Sequence, residues 1–558
     1  MKFESITIKN FRNFKDIQMN LDNKNVFFGL NDVGKTNFLY ALRYIFDKDI
    51  RKLNLSDSDY HNKNVSEPIE ITVEINISDE KCEDNQKLRA HLKGAIMSSD
   101  EKIYIKLKAI YDRKELIGQP ILYWGGDLEN LQEMKMHGYL YEVDYVFNVF
   151  YIDAYVDMYT LFKKNINTLV KNEDEQDNDV LEKIQTSISN LNSEISTLSG
   201  IKKFEDKITP EYKKFRNDAI EITVKSEIAV KGLYSNLIPY IKQENTTNLY
   251  PTSGEGRKKL LSYSIFDIIA DDTAERKINL FLVEEPENHL HKSMQIALSQ
   301  ILFTDEKYKY LFVTTHSPFI LYEMDKVNLV RIYNENQINS SSIFYKVPKE
   351  YEQYKKILNR RLSEAIFANK VLLVEGPSEL VLFEKVLFTL QPFYESEGIS
   401  IIDTGGIKFK KYIEILQPLH IQVIVKTDND LRSNNHGGYS VLGFSRCNGI
   451  IGKEILPITP IQGKNIEDKR TLYTQNAQEL NNIRKDYNIF LSKVDLENDL
   501  DEVLHEKMVQ YLNTENVVEY LQQSKLYNMV ELIEKLTYED CMKIKEHYNF
   551  ECLKEVLK

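Results

Sequence analysis

Alternating apolar and polar positions dominate the first part of the chain. Residues 69–77 (IEITVEINI) and 103–111 (IYIKLKAIY) alternate with period two, which predicts half-buried antiparallel strands. Residues 2–9 alternate in the same way, and a second apolar run ends at Phe28, before a glycine and the helix-like segment FLYALRYIF. We therefore predict the order strand, turn, strand, loop and helix at the start of the chain.

Beyond Leu280 the apolar runs become continuous. NLFLVEE and KYLFVTTH form one series, and residues 370–375, 399–403 and 421–425 form a second. Such runs are typical of parallel strands that are buried on both faces of a sheet. The pattern predicts two α/β sheets, with the polar stretch 334–352 as the boundary between them.

Residues 156–242 have a pattern that favours helix. Within them, six apolar residues alternate at spacings of three and four before Gly200: Leu181, Ile184, Ile188, Leu191, Ile195 and Leu198. One interpretation is a short antiparallel coil used for dimerisation. Because the heptads last under three repeats, an amphipathic helix packed on its own domain explains them equally well.

Composition narrows the functional classes. A chain of 558 residues holds about three or four folding units. Its net charge of −13 argues against a general nucleic-acid coat but leaves room for a local basic channel. The four cysteines are widely spread and form no CxxC pair, so neither a disulfide framework nor a zinc ribbon is supported, and a reducing, cytoplasmic location is favoured. No apolar run approaches the ~20 residues of a membrane span, so we expect no membrane association.

A nucleotide-binding loop stands at residues 29–36. GLNDVGKT matches GxxxxGK[ST] and lies between an apolar strand and a helix, the context that this motif requires, so a chance glycine turn is disfavoured. Loop amides and the helix N-terminus would face the phosphates, the lysine would neutralise the β and γ oxygens, and the threonine hydroxyl can bind Mg²⁺. The predicted ATP-binding residues are Gly29, Asn31, Gly34, Lys35 and Thr36.

Three later segments resemble the ABC-type ATPase heads of the chromosome-maintenance and recombination family. TSGEGR at 252–257 resembles the signature loop, which implies that Ser253 and Gly254 contact the nucleotide of an opposite protomer in a head dimer. NLFLVEE resembles the Walker B strand, with Glu284 near the metal and Glu285 as the candidate base for water. His316 matches the switch histidine that senses the γ-phosphate.

The Walker B segment departs from the family pattern. Glu284 stands where that pattern usually has aspartate, and the added methylene moves the carboxylate by about 1.5 Å, enough to alter a metal contact. We therefore expect slow ATP hydrolysis. No glutamine-loop residue can be assigned from the sequence.

Carboxylates also follow the later strands. EGPSE begins directly after VLLV, a Gly-Gly pair follows IIDT, and DND follows IQVIVKT. The carboxyl ends of parallel strands meet at one crevice, where open α/β sheets bind ligands. Glu375 and Glu379 lie one helical turn apart, and Asp428 and Asp430 lie on one side of an extended segment. Oxygen ligands without histidine or cysteine favour Mg²⁺ or Mn²⁺ over zinc.

This order of motifs resembles the Toprim domain, and an ABC-type head followed by Toprim resembles the OLD-family ATP-dependent endonucleases. Further segments resemble the nuclease subunits of Gabija anti-phage systems, among them IKNFRNF, YPTSGEGRKKLLSYSI, MQIALSQ, TTHSP, LLVEGPSE, KTDNDL, VDLENDL and LQQSKLYNMVEL. The resemblance implies an α/β protein with an ABC-type ATPase domain at 1–345, which contains a helical insertion at 155–242 for which dimerisation is one interpretation. A Toprim nuclease domain with a C-terminal helical extension would occupy 346–558.

The same resemblance implicates Asp495 as a further metal-binding carboxylate and Lys525 as a catalytic lysine, with Glu497 and Asp499 as secondary candidates. Locally, Asp495 also fits a helix cap and Lys525 an exposed helix lysine. Two divalent ions roughly 4 Å apart would activate water and stabilise the leaving oxygen. An ammonium group would offset charge on the phosphate.

We expect a nucleotide-regulated endonuclease, dependent on Mg²⁺ or Mn²⁺, that nicks or cleaves duplex DNA in anti-phage defence. The resemblance further implies a homotetrameric core and a UvrD-like helicase partner. Two alternatives stay open: a non-enzymatic ATP-dependent DNA clamp or recombination mediator with a degenerate Toprim domain, and a primase or ribonuclease. Basic residues that either line a duplex channel or are simply solvated are Lys408, Lys410, Lys411, Arg432, Arg446, Lys453, Lys464, Lys469 and Arg470.

Overall fold

The computed structural model describes residues 1–30, 33–91, 96, 100–155, 161, 199–216, 218–226, 237–244, 247, 249–251, 254–335, 337–405, 408–434 and 437–558. The predicted nucleotide contacts Asn31 and Ser253, and the apolar heptads at 181–198, lie outside these residues. The chain divides into two compact units, Met1–Gln353 and Tyr354–Lys558. Among the described helices, none is long and apolar enough to cross a membrane.

The first unit is built mainly on two six-stranded sheets. Its strands are β1 (Lys2–Phe11), β2 (Phe14–Asn20), β3 (Lys24–Phe28), β4 (Ile69–Asn76), β5 (Lys102–Asp112), β6 (Ile117–Gly125), β7 (Gln132–Glu133), β8 (Met136–His137), β9 (Leu140–Tyr141), β10 (Phe147–Ile152), β11 (Ile220–Ser226), β12 (Leu237–Gln243), β13 (Leu249–Pro251), β14 (Ile278–Glu284), β15 (Leu311–Thr314), β16 (Asn328–Glu335) and β17 (Gln337–Phe344). Its helices are α1 (Lys35–Phe46), α2 (Lys48–Arg51), α3 (Glu83–His91), α4 (Val143–Val146), α5 (Ser199–Phe215), α6 (Glu255–Thr273) and α7 (Lys292–Thr304).

The two patterns of hydrophobicity correspond to these two sheets. The antiparallel sheet has the order β2-β1-β4-β5-β6-β7, and β4 alternates buried and half-buried residues as its sequence predicts. The second sheet has the order β10-β14-β15-β3-β16-β17 and is parallel except for its last pair. One apolar core joins both sheets and α1, with Phe3 against Phe312 at 5.2 Å between ring centroids.

The helical prediction for 155–242 is wrong over part of its length. Helix α5 is followed by a three-stranded antiparallel sheet of β11, β12 and β13. Ile220, Ile222 and Val224 alternate with polar residues, and these three apolar side chains are buried. Branched side chains at period two favour a strand, and this local signal outweighs the helical pattern of the surrounding segment.

The second unit has a four-stranded sheet, parallel throughout, in the order β19-β18-β20-β23. Its strands are β18 (Lys370–Val374), β19 (Ile399–Asp403), β20 (Gln422–Thr427), β21 (Leu431–Ser433), β22 (Tyr439–Val441) and β23 (Ile489–Leu491). Its helices are α8 (Lys355–Ala365), α9 (Pro377–Leu390), α10 (Phe409–Leu416), α11 (Leu442–Ile451), α12 (Ile466–Gln475), α13 (Ala477–Tyr487), α14 (Leu496–Leu512), α15 (Val517–Gln523), α16 (Lys525–Lys535), α17 (Tyr538–Glu546) and α18 (Glu551–Leu557).

A buried carboxyl group in α6 gives a test of the first unit's stability. Asp267 is 3% exposed and accepts a 2.6 Å hydrogen bond from the Tyr308 hydroxyl, and burial raises the pKa of Asp267 to about 7. Because this folded pKa lies above the unfolded value of about 3.9, the carboxyl stabilises the fold in acid, and that contribution is lost as the pH rises through 7.

Asp267→Asn keeps the carbonyl acceptor but does not ionise. We therefore expect its free energy of unfolding, relative to that of the parent, to rise by roughly 3 kcal/mol as the pH goes from 5 to 8. Thermal unfolding at both pH values measures this. Asp271→Asn, at an exposed position of the same helix, should show no such change with pH. A pH-independent difference for Asp267→Asn would contradict the burial argument.

Candidate nucleotide and metal sites

The nucleotide loop lies between β3 and α1 and depends on two glycines. Gly29 has φ +152° and Gly34 has φ +101°, conformations that side chains other than glycine rarely adopt. A Cβ atom on Gly29 would lie 2.2 Å from the Ile332 carbonyl oxygen, and one on Gly34 would lie 2.2 Å from the Asn13 amide. The loop is therefore fixed by β16 on one side and by the turn after β1 on the other.

Lys35 lies inside this loop. Its side chain is buried, and Nζ donates to the carbonyl oxygens of Gly29 at 3.0 Å and Leu30 at 2.7 Å. Asn13 and Arg12 support the same helix start, since Asn37 donates to Asn13 and accepts from Arg12, both at 2.9 Å. The ammonium thus lies within the loop, beside the N-terminus of α1, and helix N-termini of this kind favour phosphate groups.

Glu284 ends β14 and is held by two hydroxyl groups. Thr36 Oγ1 donates to one carboxylate oxygen, and Tyr151 Oη donates to the other at 2.5 Å. Burial and this carboxylate raise the pKa of Tyr151. The glutamate side chain therefore reaches Thr36 of the nucleotide-binding loop directly, so Thr36 and Glu284, both predicted near the metal, lie in contact.

Glu285 and His316 also meet. His316 Nε2 lies 3.5 Å from a Glu285 carboxylate oxygen, and Asn288 donates to the other at 2.8 Å. Glu285 has φ +41°, a strained backbone conformation of the kind that concentrates at functional sites. The structure thus brings the candidate base and the candidate sensor together where the neighbouring parallel strands β14 and β15 end.

Sequence reasoning missed Lys259, which links the signature segment to the main chain at Glu285. Gly254 precedes the first residue of α6, and Lys259 lies one turn further along that helix. Lys259 is 1% exposed and donates to the Glu285 carbonyl oxygen, and burial lowers its pKa to about 8. No motif marks this lysine, because its partner is a main-chain atom distant in sequence.

The second unit gathers carboxylates at the carboxyl edge of its sheet. Glu375 follows β18 and Asp428 follows β20, the neighbouring parallel strand. One Glu375 oxygen accepts from the Asp428 amide at 2.8 Å and from the Thr427 hydroxyl. The prediction that residues at the carboxyl ends of neighbouring parallel strands lie together is therefore correct for Glu375 and Asp428.

Negative charges accumulate around Asp428. Burial, followed by the charges of Glu375, Glu379 and Asp495, raises the pKa of Asp428 well above its usual range. Burial, with the charges of Glu375 and Glu497, raises the pKa of Glu379 to about 7. The cluster thus disfavours its own negative charge and would be stabilised by a cation.

The helix α14 brings in two more acids. Asp495 is its N-cap residue and accepts from Asn498 N at 2.9 Å and from Gln522 Nε2 at 2.9 Å. Glu497 is 1% exposed, and its Oε2 is buried without a hydrogen-bond partner among the described residues. Lys525, the first residue of α16, lies 3.8 Å from the other Glu497 oxygen.

Asp499 pairs with a buried lysine and not with the acids around Asp428. Its carboxylate pairs with Lys426 Nζ at 2.7 Å, and both side chains are almost fully buried. This ion pair uses the Asp499 carboxylate inside the core, so we leave Asp499 out of the proposed metal ligands.

Arg446, one of the basic residues for which channel lining and simple solvation were both open, contacts predicted metal ligands. Nη2 donates to Asp430 at 2.9 Å, and Nη1 donates to Glu375 and to Thr427. Arg446 thus lies among the predicted metal ligands.

The donor set fits divalent cations. Among the described residues no three acidic, histidine or cysteine side chains converge closely enough to hold an ion as they stand. The cluster nevertheless offers carboxylate oxygens of the kind that Mg²⁺ and Mn²⁺ prefer, including the buried, unpartnered oxygen of Glu497. Side-chain rotation at the cluster would therefore have to accompany metal binding.

Comparison with known families covers both units. A family of AAA ATPase domains matches residues 1–321. The family described as Overcoming lysogenization defect protein-like, TOPRIM domain, matches residues 366–430. The predicted α/β architecture of an ATPase head followed by a Toprim domain is confirmed.

Similar proteins include Endonuclease GajA of Bacillus cereus (strain VD045), which is 45% identical over 574 residues and covers 100% of this chain and 99% of its own length. OLD nuclease of Thermus scotoductus (strain ATCC 700910 / SA-01) is 24% identical over 167 residues, 28% of this chain and 31% of its own. An Smc head domain structure from Pyrococcus furiosus has 11% identity and a TM-score of 0.38, covering 64% of this chain and 99% of its own, a likeness too low to carry an argument.

Proposed function

Since this chain belongs to the GajA family of endonucleases, with an AAA ATPase domain followed by an OLD-like Toprim domain, we propose that it is a nucleotide-regulated, divalent-metal-dependent enzyme that nicks or cleaves duplex DNA in anti-phage defence. One observation carries the proposal. Acids from three remote segments, 375–379, 428–430 and 495–497, lie near one another and near Lys525 at one edge of a parallel sheet. Glu375 accepts from the Asp428 amide at 2.8 Å, and Lys525 lies 3.8 Å from Glu497.

In the Toprim site, the proposed metal ligands are Glu375, Glu379, Asp428, Asp430, Asp495 and Glu497. When bound, Mg²⁺ or Mn²⁺ would supply the Lewis acidity that activates water and stabilises the leaving oxygen. Lys525 lies 3.8 Å from Glu497, and its ammonium would offset the charge that develops on the phosphate. Asn498 and Gln522 hold the Asp495 carboxylate in place through hydrogen bonds.

In the ATPase head, the proposed ATP contacts are Gly29, Asn31, Gly34, Lys35, Thr36, Glu284, Glu285 and His316, with Ser253 and Gly254 reaching the nucleotide of a second protomer. The Thr36–Glu284 pair supports this proposal for the nucleotide's metal. Nucleotide binding would pair two heads and control access to the Toprim site. A tetrameric core and a UvrD-like helicase partner belong to the same proposal.

Supercoiled plasmid DNA tests the function. We expect nicked or linear products with Mg²⁺ or Mn²⁺, none with EDTA, and a rate that changes when ATP is added. ATP-dependent DNA binding without cleavage under either metal would favour the clamp alternative. Cleavage of RNA, or primer synthesis from nucleotides, in place of DNA cleavage would favour the ribonuclease or primase alternative.

Lys35→Ala tests the head separately. Loss of the ammonium is expected to weaken ATP binding by about 10- to 100-fold, because it removes charge-assisted contacts to the phosphates. Titration of a fluorescent ATP analogue measures the change. Lys9→Ala, an exposed lysine on β1, is the matched control and should bind ATP normally. An unchanged affinity in Lys35→Ala would remove this lysine from its proposed role.

A further inference from the structure

Arg446 on α11 is a cation inside the acidic cluster of the second unit. Its Nη2 donates to Asp430 at 2.9 Å, and its Nη1 donates to Glu375 and Thr427 and lies 3.4 Å from the Asp428 carbonyl oxygen. The arginine side chain is 26% exposed, so its charge is partly shielded from water. One guanidinium therefore bridges the acids that follow two neighbouring strands.

These contacts have an electrostatic consequence. A guanidinium keeps its positive charge at any pH at which the protein folds, and it occupies the oxygen lone pairs that it contacts. A divalent cation that used the same Glu375 oxygen would also be repelled by the guanidinium a few ångströms away. Arg446 and a metal ion are thus alternative partners for these carboxylates.

We propose that Arg446 is an internal counterion that competes with the divalent cation for Glu375 and Asp430, and so sets the metal concentration at which the nuclease site assembles. This inference rests on the proposed metal-dependent function and deepens it. The arginine stabilises the acidic cluster at low metal concentration, and it must move away from Glu375 as the ion binds. A threshold for metal activation is thereby built into the site.

Mn²⁺ binding to nucleotide-free, full-length protein tests the competition directly. Free Mn²⁺, measured by electron paramagnetic resonance, gives the dissociation constant without any DNA cleavage. Arg446→Gln is expected to bind Mn²⁺ at least about tenfold more tightly than the parent, because a nearby positive charge is gone. Arg446→Lys, which keeps the charge but makes fewer contacts, should fall between the two.

Thermal unfolding separates competition from a merely structural role. In EDTA, Arg446→Gln should unfold at a lower temperature than the parent, because Glu375 and Asp430 lose their partner, and saturating Mn²⁺ should restore most of the difference. The matched control is Arg484→Gln, in which a buried arginine that contacts Glu551 and Tyr473 is removed from the same unit. That variant should lose the same stability with and without Mn²⁺.

The outcomes distinguish failure of the proposed metal site from failure of the proposed competition by Arg446. If Glu375→Gln leaves Mn²⁺ binding of the parent unchanged, the proposed metal site fails and the inference fails with it. If Glu375→Gln weakens binding but neither Arg446 variant tightens it, the metal site stands and the competition is wrong. An Arg446→Gln variant that loses stability equally in EDTA and Mn²⁺ would also overturn the inference.

Discussion

Glu375→Gln is expected to reduce DNA cleavage by about 10³-fold or more while ATP affinity stays at the parent value. The substitution keeps the shape of the side chain, so the Asp428 amide and Thr427 hydroxyl retain an acceptor. It removes the negative charge that a divalent ion needs at the end of β18. The loss should therefore lie in metal-assisted chemistry and not in folding.

Plasmid cleavage at saturating Mg²⁺ and Mn²⁺, together with titration of an ATP analogue, measures both halves of this expectation. Glu364→Gln, at an exposed position on α8, is the matched control and should cleave at the parent rate. Cleavage by Glu375→Gln at the parent rate would count decisively against the Toprim assignment.

Lys525→Ala is expected to lower the cleavage rate by about 10²- to 10³-fold at saturating metal. Its ammonium is near Glu497 and is the cation that we place beside the reacting phosphate. Because the same substitution removes a positive charge from an acidic cluster, metal binding should become tighter, not weaker. Rate and metal affinity should thus move in opposite directions.

Single-turnover cleavage across a metal titration separates these two effects. Lys535→Ala changes an exposed lysine at the other end of α16, where its partner is Glu531, and should leave both quantities unchanged. A normal rate for Lys525→Ala at saturating metal would show that this lysine is only a surface residue of the helix.

The strand-associated motifs were the most predictable part of the molecule. Glu375 and Asp428 each follow a continuous apolar run, and parallel strands bring their carboxyl ends to one edge. The nucleotide loop is equally local, since its glycines, lysine and threonine stand within eight consecutive residues. In both cases secondary structure alone determines which side chains meet.

Contacts made by tertiary packing were not predictable in this way. Tyr151 reaches Glu284 from a neighbouring strand, Lys259 reaches a main-chain carbonyl, and Arg446 reaches the acids from a separate helix. Tyr151 and Arg446 stand in none of the segments singled out from the sequence, and Lys259 stands in one that assigns it no role. Glu497 and Asp499 illustrate the same limit, because the rotation of α14 turns one toward Lys525 and the other toward Lys426.

The departure at Glu284 also becomes intelligible. Sequence comparison alone suggested a misplaced carboxylate, whereas the structure has it bound by Thr36 and Tyr151 from two different elements. Tyr151 stands on β10, the strand that pairs with β14. Slow ATP hydrolysis remains a prediction of this altered arrangement.

Anomalous diffraction from crystals of the full-length protein soaked in Mn²⁺ tests most directly whether the carboxylates of the second unit bind a pair of divalent ions. We expect two peaks within about 4 Å of each other, bordered by Glu375, Glu379 and Asp428 on the sheet edge and by Asp495 or Glu497 at the start of α14. An Mn²⁺ peak at the nucleotide loop, with no peak among these carboxylates, would contradict the proposed two-metal site.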